Sequence, residues 1–246
     1  PVNFTALKGK QKDFRNKTVV RELRRVAGQT QKSLLKTLSL NQVKGRAERI
    51  KPLWIVNSIA VDASADLIHE LATAHPDIEI LPDQEITLQS VSDAGEDLPA
   101  WNLDRIKARE ACEIGYRGQG VIVATLDTGV DSKHPDLITR YRGGTNSWYD
   151  PATGSSVTVE LTSGLFAGHG TQVMGVLVGG DASGTPIGVA PEAEFIAAKI
   201  FYFDKNSTKA NESDIIDGFQ WILDPDGDLY TDDSPHIVNN SWDAGS

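Results

Sequence analysis

Val121-Ile122-Val123-Ala124-Thr125-Leu126-Asp127-Thr128-Gly129 opens on an almost unbroken apolar run and closes on a turn signal. A strand with one wet face alternates apolar and polar residues. A continuous run marks a parallel strand covered on both faces. Gly118 and Gly120 lead into it. Downstream, Phe195-Ile196-Ala197-Ala198-Lys199-Ile200 repeats the pattern, and His236-Ile237-Val238-Asn239-Asn240 enters a third strand. Helical spacing lies between them, over residues 171–178 and 214–223, with Ile215, Ile216, Phe219 and Ile222 on one face of the latter. A short helix is expected over 104–112. Strands alternating with helices predict an α/β fold with a doubly wound parallel sheet. Such sheets bind ligands beyond the carboxyl ends of their strands, where Asp127 stands.

The region before this sheet has another texture. Val20, Leu23, Val26, Leu34, Leu35 and Leu38 recur on a background of Arg, Lys and Gln and predict helix over 19–38, ended by Gly45 and Pro52. Residues 53–61, rich in β-branched and aromatic side chains, predict a strand. Ser64 can cap a following helix carrying Leu67, Ile68 and Leu71 and closed by Pro76. Residues 78–81 and 86–88 predict short strands around a Pro82-Asp83 turn. With a first strand over residues 2–7, the order gives a small α+β unit of split βαβ, ferredoxin-like form. Residues 91–100 are small, polar and acidic and predict an exposed linker.

Net charge is −10, which speaks against a nucleic-acid-binding chain. Residues 1–51 carry 14 Lys and Arg against 3 Asp and Glu, whereas residues 91–246 carry 10 against 24. That split fits a basic arm or two segments that attract each other. No stretch approaches the roughly 18 apolar residues of a membrane span. The one cysteine, Cys112, excludes an internal disulfide or a zinc site built on cysteines.

Three segments carry chemistry. Asp127 follows the first strand. His169, in Gly168-His169-Gly170-Thr171, stands at a helix start 42 residues later. An acid can fix the tautomer of an imidazole, which can then take a proton from a serine. Ile237-Val238-Asn239-Asn240-Ser241-Trp242 offers an edge for an extended peptide. Asp-Thr-Gly also occurs in aspartic proteases, where two carboxylates share a proton; here it occurs once.

Taken together, Asp127-Thr128-Gly129-Val130-Asp131 with His134-Pro135-Asp136-Leu137, then His169-Gly170-Thr171, Gly188-Val189-Ala190-Pro191 and Val238-Asn239-Asn240-Ser241-Trp242 resemble the successive signatures of the subtilases. Trp101-Asn102-Leu103-Asp104 and the Asn-Asn-Ser-Trp form are most similar to the bacillopeptidase F branch. The resemblance implies a serine endopeptidase with a subtilisin-like fold. Asp127 would orient the histidine, His169 would be general base and acid, and Ser241, Trp242 and Asp243 would line the substrate rim. The family's nucleophile lies in a Gly-Thr-Ser segment, and residues 1–246 contain none. The resemblance therefore implies a truncated zymogen, inactive as it stands.

Residues 1–90 are similar to a subtilase pro-domain, an inhibitor and folding aid. Its tail, Glu85, Ile86, Thr87, Leu88 and Gln89, would lie in the cleft, with processing around 89–100 and the peptidase domain over 101–246. The implied partners are polypeptide substrates and the pro-domain itself, in a secreted bacterial enzyme without a required cofactor. Structural calcium is expected at Asp136 and Asp181, although the family's asparagine is missing from 180–186. Asp224-Pro225-Asp226-Gly227-Asp228 resembles part of a calcium loop, but Pro235 stands where an EF-hand has its closing Glu. Gln172 replaces a second histidine, and Asp243-Ala244 replaces a glycine pair. A non-catalytic inhibitor or peptide-binding homologue, and half of an aspartic protease, remain as alternatives.

Overall fold

The computed structural model describes residues 4–88, 101–182 and 184–243. The chain divides into two compact units, Pro1–Gln84 with Leu229–Asp232, and Glu85–Asp228 with Asp233–Ser246.

The first unit runs α1 (Phe4–Leu7), α2 (Lys12–Thr30), α3 (Lys32–Val43), β1 (Ala47–Leu53), β2 (Ser58–Ala63) and α4 (Ala65–Ala74). The expected helix over 19–38 is thus two helices meeting at Gln31, which stays in helical conformation. Gln31 is buried, and its Nε2 donates to Asn57 Oδ1 at 3.2 Å and to Ser58 O at 3.1 Å. The strand expected over 53–61 is instead a hairpin. β1 and β2 pair antiparallel with Leu53 opposite Ser58, and Asn57 turns the chain at φ 54°, a left-handed conformation asparagine tolerates better than most residues. Leu38, Ala47, Leu67 and Leu71 form the core, with Ile50, Ile59 and Val61 packed on it. Two further strand expectations fail. Residues 4–7 are helix, and 78–81 pair with nothing among the described residues. Among the described residues the unit is α+β with a two-stranded sheet, fewer strands than the expected ferredoxin-like form. Ile80 and Leu81 are exposed, and a segment as short as Ile-Glu-Ile-Leu reads as strand whether or not a partner strand meets it.

The second unit comprises β3 (Glu85–Thr87), α5 (Trp101–Arg105), α6 (Ala108–Glu113), β4 (Ile122–Asp127), β5 (Trp148–Tyr149), α7 (His169–Val178), β6 (Glu194–Lys199), β7 (Tyr202–Asp204), β8 (Ser207–Asn211), α8 (Glu212–Leu223) and β9 (Ile237–Asn239). The helix expected over 104–112 is broken by Lys107 at φ 62°. The main sheet has the order β5-β6-β4-β9, and all its pairs are parallel.

Residue parity builds its two faces. Ala124, Leu126, Ile196 and Ala198 pack with Ile215 and Ile222 of α8. Val123, Phe195 and Ala197 pack with Met174 and Val178 of α7. The sheet is therefore covered on both sides, as the unbroken apolar runs require. Asp127 shares the parity of Val123, which directs it to the α7 side. A second sheet, β3-β8-β7, is antiparallel throughout. No described helix is long and apolar enough to cross a membrane.

Candidate active site

Asp127 ends β4 and is 1% exposed. Its Oδ1 lies 2.7 Å from Nδ1 of His169, the first residue of α7. The same oxygen accepts the Thr128 N–H at 2.7 Å. Oδ2 is buried without a hydrogen-bond partner among the described residues. The carboxylate is therefore held through Oδ1, where the imidazole is. Asp127 holds the His169 pKa above its ordinary value, first by the hydrogen bond and then by its charge, against the opposing effect of burial. The His169 side chain keeps 26% of its surface exposed, and the Phe166 ring meets it edge-on at 6.0 Å.

Two glycines allow this approach. Gly170 lies so close to the turn that a Cβ there would stand 2.0 Å from the Gly129 carbonyl oxygen. At Gly129, φ is 112° and a Cβ would meet the Val159 oxygen at 2.0 Å. The glycines of Asp-Thr-Gly and His-Gly-Thr are thus the contact between β4 and α7. Thr128 bridges it: its Oγ1 accepts the Gly170 N–H at 2.9 Å and donates to Glu160 Oε1 at 2.7 Å.

An imidazole whose Nδ1–H is held by a carboxylate presents Nε2 as a base, and the cation it becomes is stabilised by the same carboxylate. A scan of protein families matches the Subtilase family over residues 118–246. The chain belongs to the subtilase family. It is 34% identical to Bacillopeptidase F of Bacillus subtilis over 93% of its own length, and 31% identical to the Major intracellular serine protease of the same organism over 60%. It spans only 17% and 40% of those two proteins. Among solved structures, an epidermin leader peptide processing serine protease from Staphylococcus aureus shares the fold, with a TM-score of 0.56, 18% identity, and coverage of 85% of this chain and 48% of that one.

This subtilase chain sets the remaining expected residues at different places. Ser241 and Asp243 are exposed just beyond β9, at the end of the sheet that carries Asp127. Trp242 is half-buried. Its Nε1 donates to Leu126 O at 2.9 Å and its ring meets Phe201 edge-on, so it also anchors the core beside Asp127. Glu85, Ile86 and Thr87 pair antiparallel with Asn211, Ala210 and Lys209 of β8. Leu88 donates its N–H to Thr208 O at 2.9 Å and is buried in the cluster that includes Phe166 and Trp242. Gln89 lies outside the described residues.

Calcium is expected at Asp136 and Asp181. Asp136 is buried, and its Oδ1 already accepts the Ala182 N–H at 2.7 Å. Asp181 is exposed, beside a cavity of about 250 Å³ lined by Arg109, Arg117 and Arg140 as well as Glu113. Calcium seeks converging oxygens; of these guanidinium groups, Arg109 pairs with Asp104 and Arg117 with Glu192. Asp224, Asp226 and Asp233 do converge, with one carboxylate oxygen of each within 4.8 Å of the others; burial and then Asp226 raise the Asp233 pKa.

Sequence reasoning missed Glu160, Lys199 and the β7–β8 hairpin. Glu160 sits in the alternating run Val157-Thr158-Val159-Glu160-Leu161-Thr162, which lies outside every named strand and whose pattern says nothing of what the carboxylate meets. Lys199 pairs in register with Asp127. Its Nζ donates to Phe201 O at 2.8 Å, and burial lowers its pKa.

Proposed function

We propose that this chain is part of a serine endopeptidase of the subtilase class, in its zymogen form. Asp127 is the orienting acid and His169 the general base and acid. The observation that carries this reading is the 2.7 Å contact between Asp127 Oδ1 and His169 Nδ1 at the carboxyl end of β4. Nε2 takes the proton of a serine hydroxyl as it attacks the peptide carbonyl, then returns it to the leaving amine. The serine is that of the family's Gly-Thr-Ser segment, absent from residues 1–246. An aspartic protease half fits less well, because the carboxylate is paired with an imidazole and not with a second carboxylate.

Residues 1–90 act as the pro-domain, residues 91–100 as the linker with the processing site, and residues 101–246 as peptidase domain. Support comes from β3, which adds to β8 as an extended peptide adds to a sheet edge. Glu85–Thr87 and Leu88 then stand where substrate would run, and Ser241, Trp242 and Asp243 form the opposite rim. The substrates are polypeptides, and the enzyme is secreted by a bacterium.

The test is labelling of the full-length protein by a serine-directed fluorophosphonate. Labelling lost in Asp127→Ala and His169→Ala is expected, with no casein hydrolysis by residues 1–246 alone. A full-length protein that stays unlabelled after removal of residues 1–90 overturns the enzyme reading in favour of a non-catalytic binder.

A further inference from the structure

Glu160 belongs to no named strand or helix, yet its carboxylate is the most heavily hydrogen-bonded group beside the catalytic pair. It bridges antiparallel to Gly129 through its backbone. Oε1 accepts the Thr128 hydroxyl at 2.7 Å and the Leu161 N–H at 2.7 Å. Oε2 accepts the Thr171 N–H at 2.7 Å and the Thr171 hydroxyl at 2.9 Å. All four partners are donors.

This set fixes the direction of both hydroxyls. Because Thr128 must donate to Glu160, its oxygen is free to accept the Gly170 N–H at 2.9 Å. Because Thr171 must donate, its oxygen accepts the Asp131 N–H at 2.9 Å. Thr128 follows Asp127, and Gly170 follows His169. One carboxylate therefore ties the turn after the acid to the first turn after the base. An ionised carboxylate is the one side-chain group of this size that accepts only. In Glu160→Gln, either orientation of the new amide would set its NH₂ against a backbone N–H, of Leu161 or of Thr171.

We propose that Glu160 is a positioning residue whose carboxylate clamps the turn after Asp127 to the start of α7 and so keeps Asp127 Oδ1 on His169 Nδ1. Its charge also favours the imidazolium. Burial raises the Glu160 pKa, against the effect of its donors. The part this plays in peptide hydrolysis rests on the function proposed above. The clamp itself does not.

The experiment is a ¹H, ¹³C and ¹⁵N NMR titration of this chain, following the imidazoles of His69, His75, His134, His169 and His236, with His169→Gln to assign the resonance. In the parent chain, His169 titrates above the ordinary imidazole value, and its Nδ1 proton gives a slowly exchanging downfield signal. Glu160→Gln is expected to move the His169 midpoint to lower pH and to broaden that signal beyond detection, while Glu194→Gln, at an exposed position on β6, moves neither. Glu160→Asp restores the midpoint toward the parent value but leaves the signal broadened, because the charge returns on an arm one methylene too short. If Glu160→Gln fails to fold, Thr128→Val removes the bridging hydroxyl and leaves the charge. Loss of the Nδ1 signal in folded Thr128→Val supports the clamp. A sharp, unmoved signal in folded Glu160→Gln or Thr128→Val overturns it. Fluorophosphonate labelling of the full-length protein reports on the enzyme reading separately, so either can fail without the other.

Discussion

His169 carries the proton whose exchange can be measured directly. Asp127 raises its pKa above the ordinary imidazole value of 6.5. A base with a raised folded pKa contributes stability that is complete below its unfolded value and is lost as pH rises through the folded one. The Asp127–His169 pair therefore stabilises the chain fully below about pH 6.5 and progressively less above it. Urea unfolding of the parent and of Asp127→Asn should show the larger difference at pH 5.5 and a smaller one at pH 9. A constant difference across that range would mean the pair is not charge-assisted. On the function proposed above, Asp127→Asn in the full-length protein should reduce kcat by about 10⁴, the scale on which a triad acid replaced by its amide leaves the imidazole in the wrong tautomer, with KM little changed. Kinetics on a chromogenic peptide check this. Asp127 and His169 were both legible from sequence, because each sits beside glycines at an element boundary. Glu160 was not, because its role is set by four donors, on Thr128, Leu161 and Thr171, that meet only in space.

At the scale of elements, β4 meets α7 through glycine. Gly170→Ala adds a Cβ 2.0 Å from a backbone oxygen. Neither backbone can yield without pulling His169 from Asp127, so a loss of about 2–4 kcal/mol is expected on the scale of strained or overpacked sites. Urea midpoints of the folded variants measure it. The β3–β8 pairing makes a second prediction. Leu88→Ala removes a buried side chain and should cost about 2–3 kcal/mol. Hydrogen exchange at Thr208 and Ala210 should then accelerate more than exchange in β4. Equal protection in both would mean that Leu88 does not hold β3 in place. The long strands β4 and β6 and the helices α7 and α8 were read nearly to their ends, since burial on two faces writes unbroken apolar runs. The hairpin β1–β2 was read as one strand because its turn, 54–57, contains Trp54, Ile55 and Val56. Only Asn57 hinted at a reversal. β7 and β8 escaped because Ser207–Asn211 is polar, and its partner β3 lies more than a hundred residues earlier.

At the scale of the molecule, the buried Asp136, whose Oδ1 already accepts the Ala182 N–H, bears on cation dependence. Addition of calcium or of a chelator should leave the thermal midpoint of Asp136→Asn and of the parent shifted equally. A calcium response present in the parent and lost in Asp136→Asn would show that the ion binds there. The sequence alone pointed to the family and the parallel sheet, and it singled out Asp127 and His169, which the structure brings together. It did so because local rules write these features: apolar runs for buried strands, glycine for close backbone approach, and polar residues at strand ends. Tertiary structure alone decided which face Asp127 occupies with His169, what holds the two turns together, and where Glu85–Thr87 pairs. Those depend on hydrogen bonds and packing between residues far apart in the chain, for which no local pattern exists.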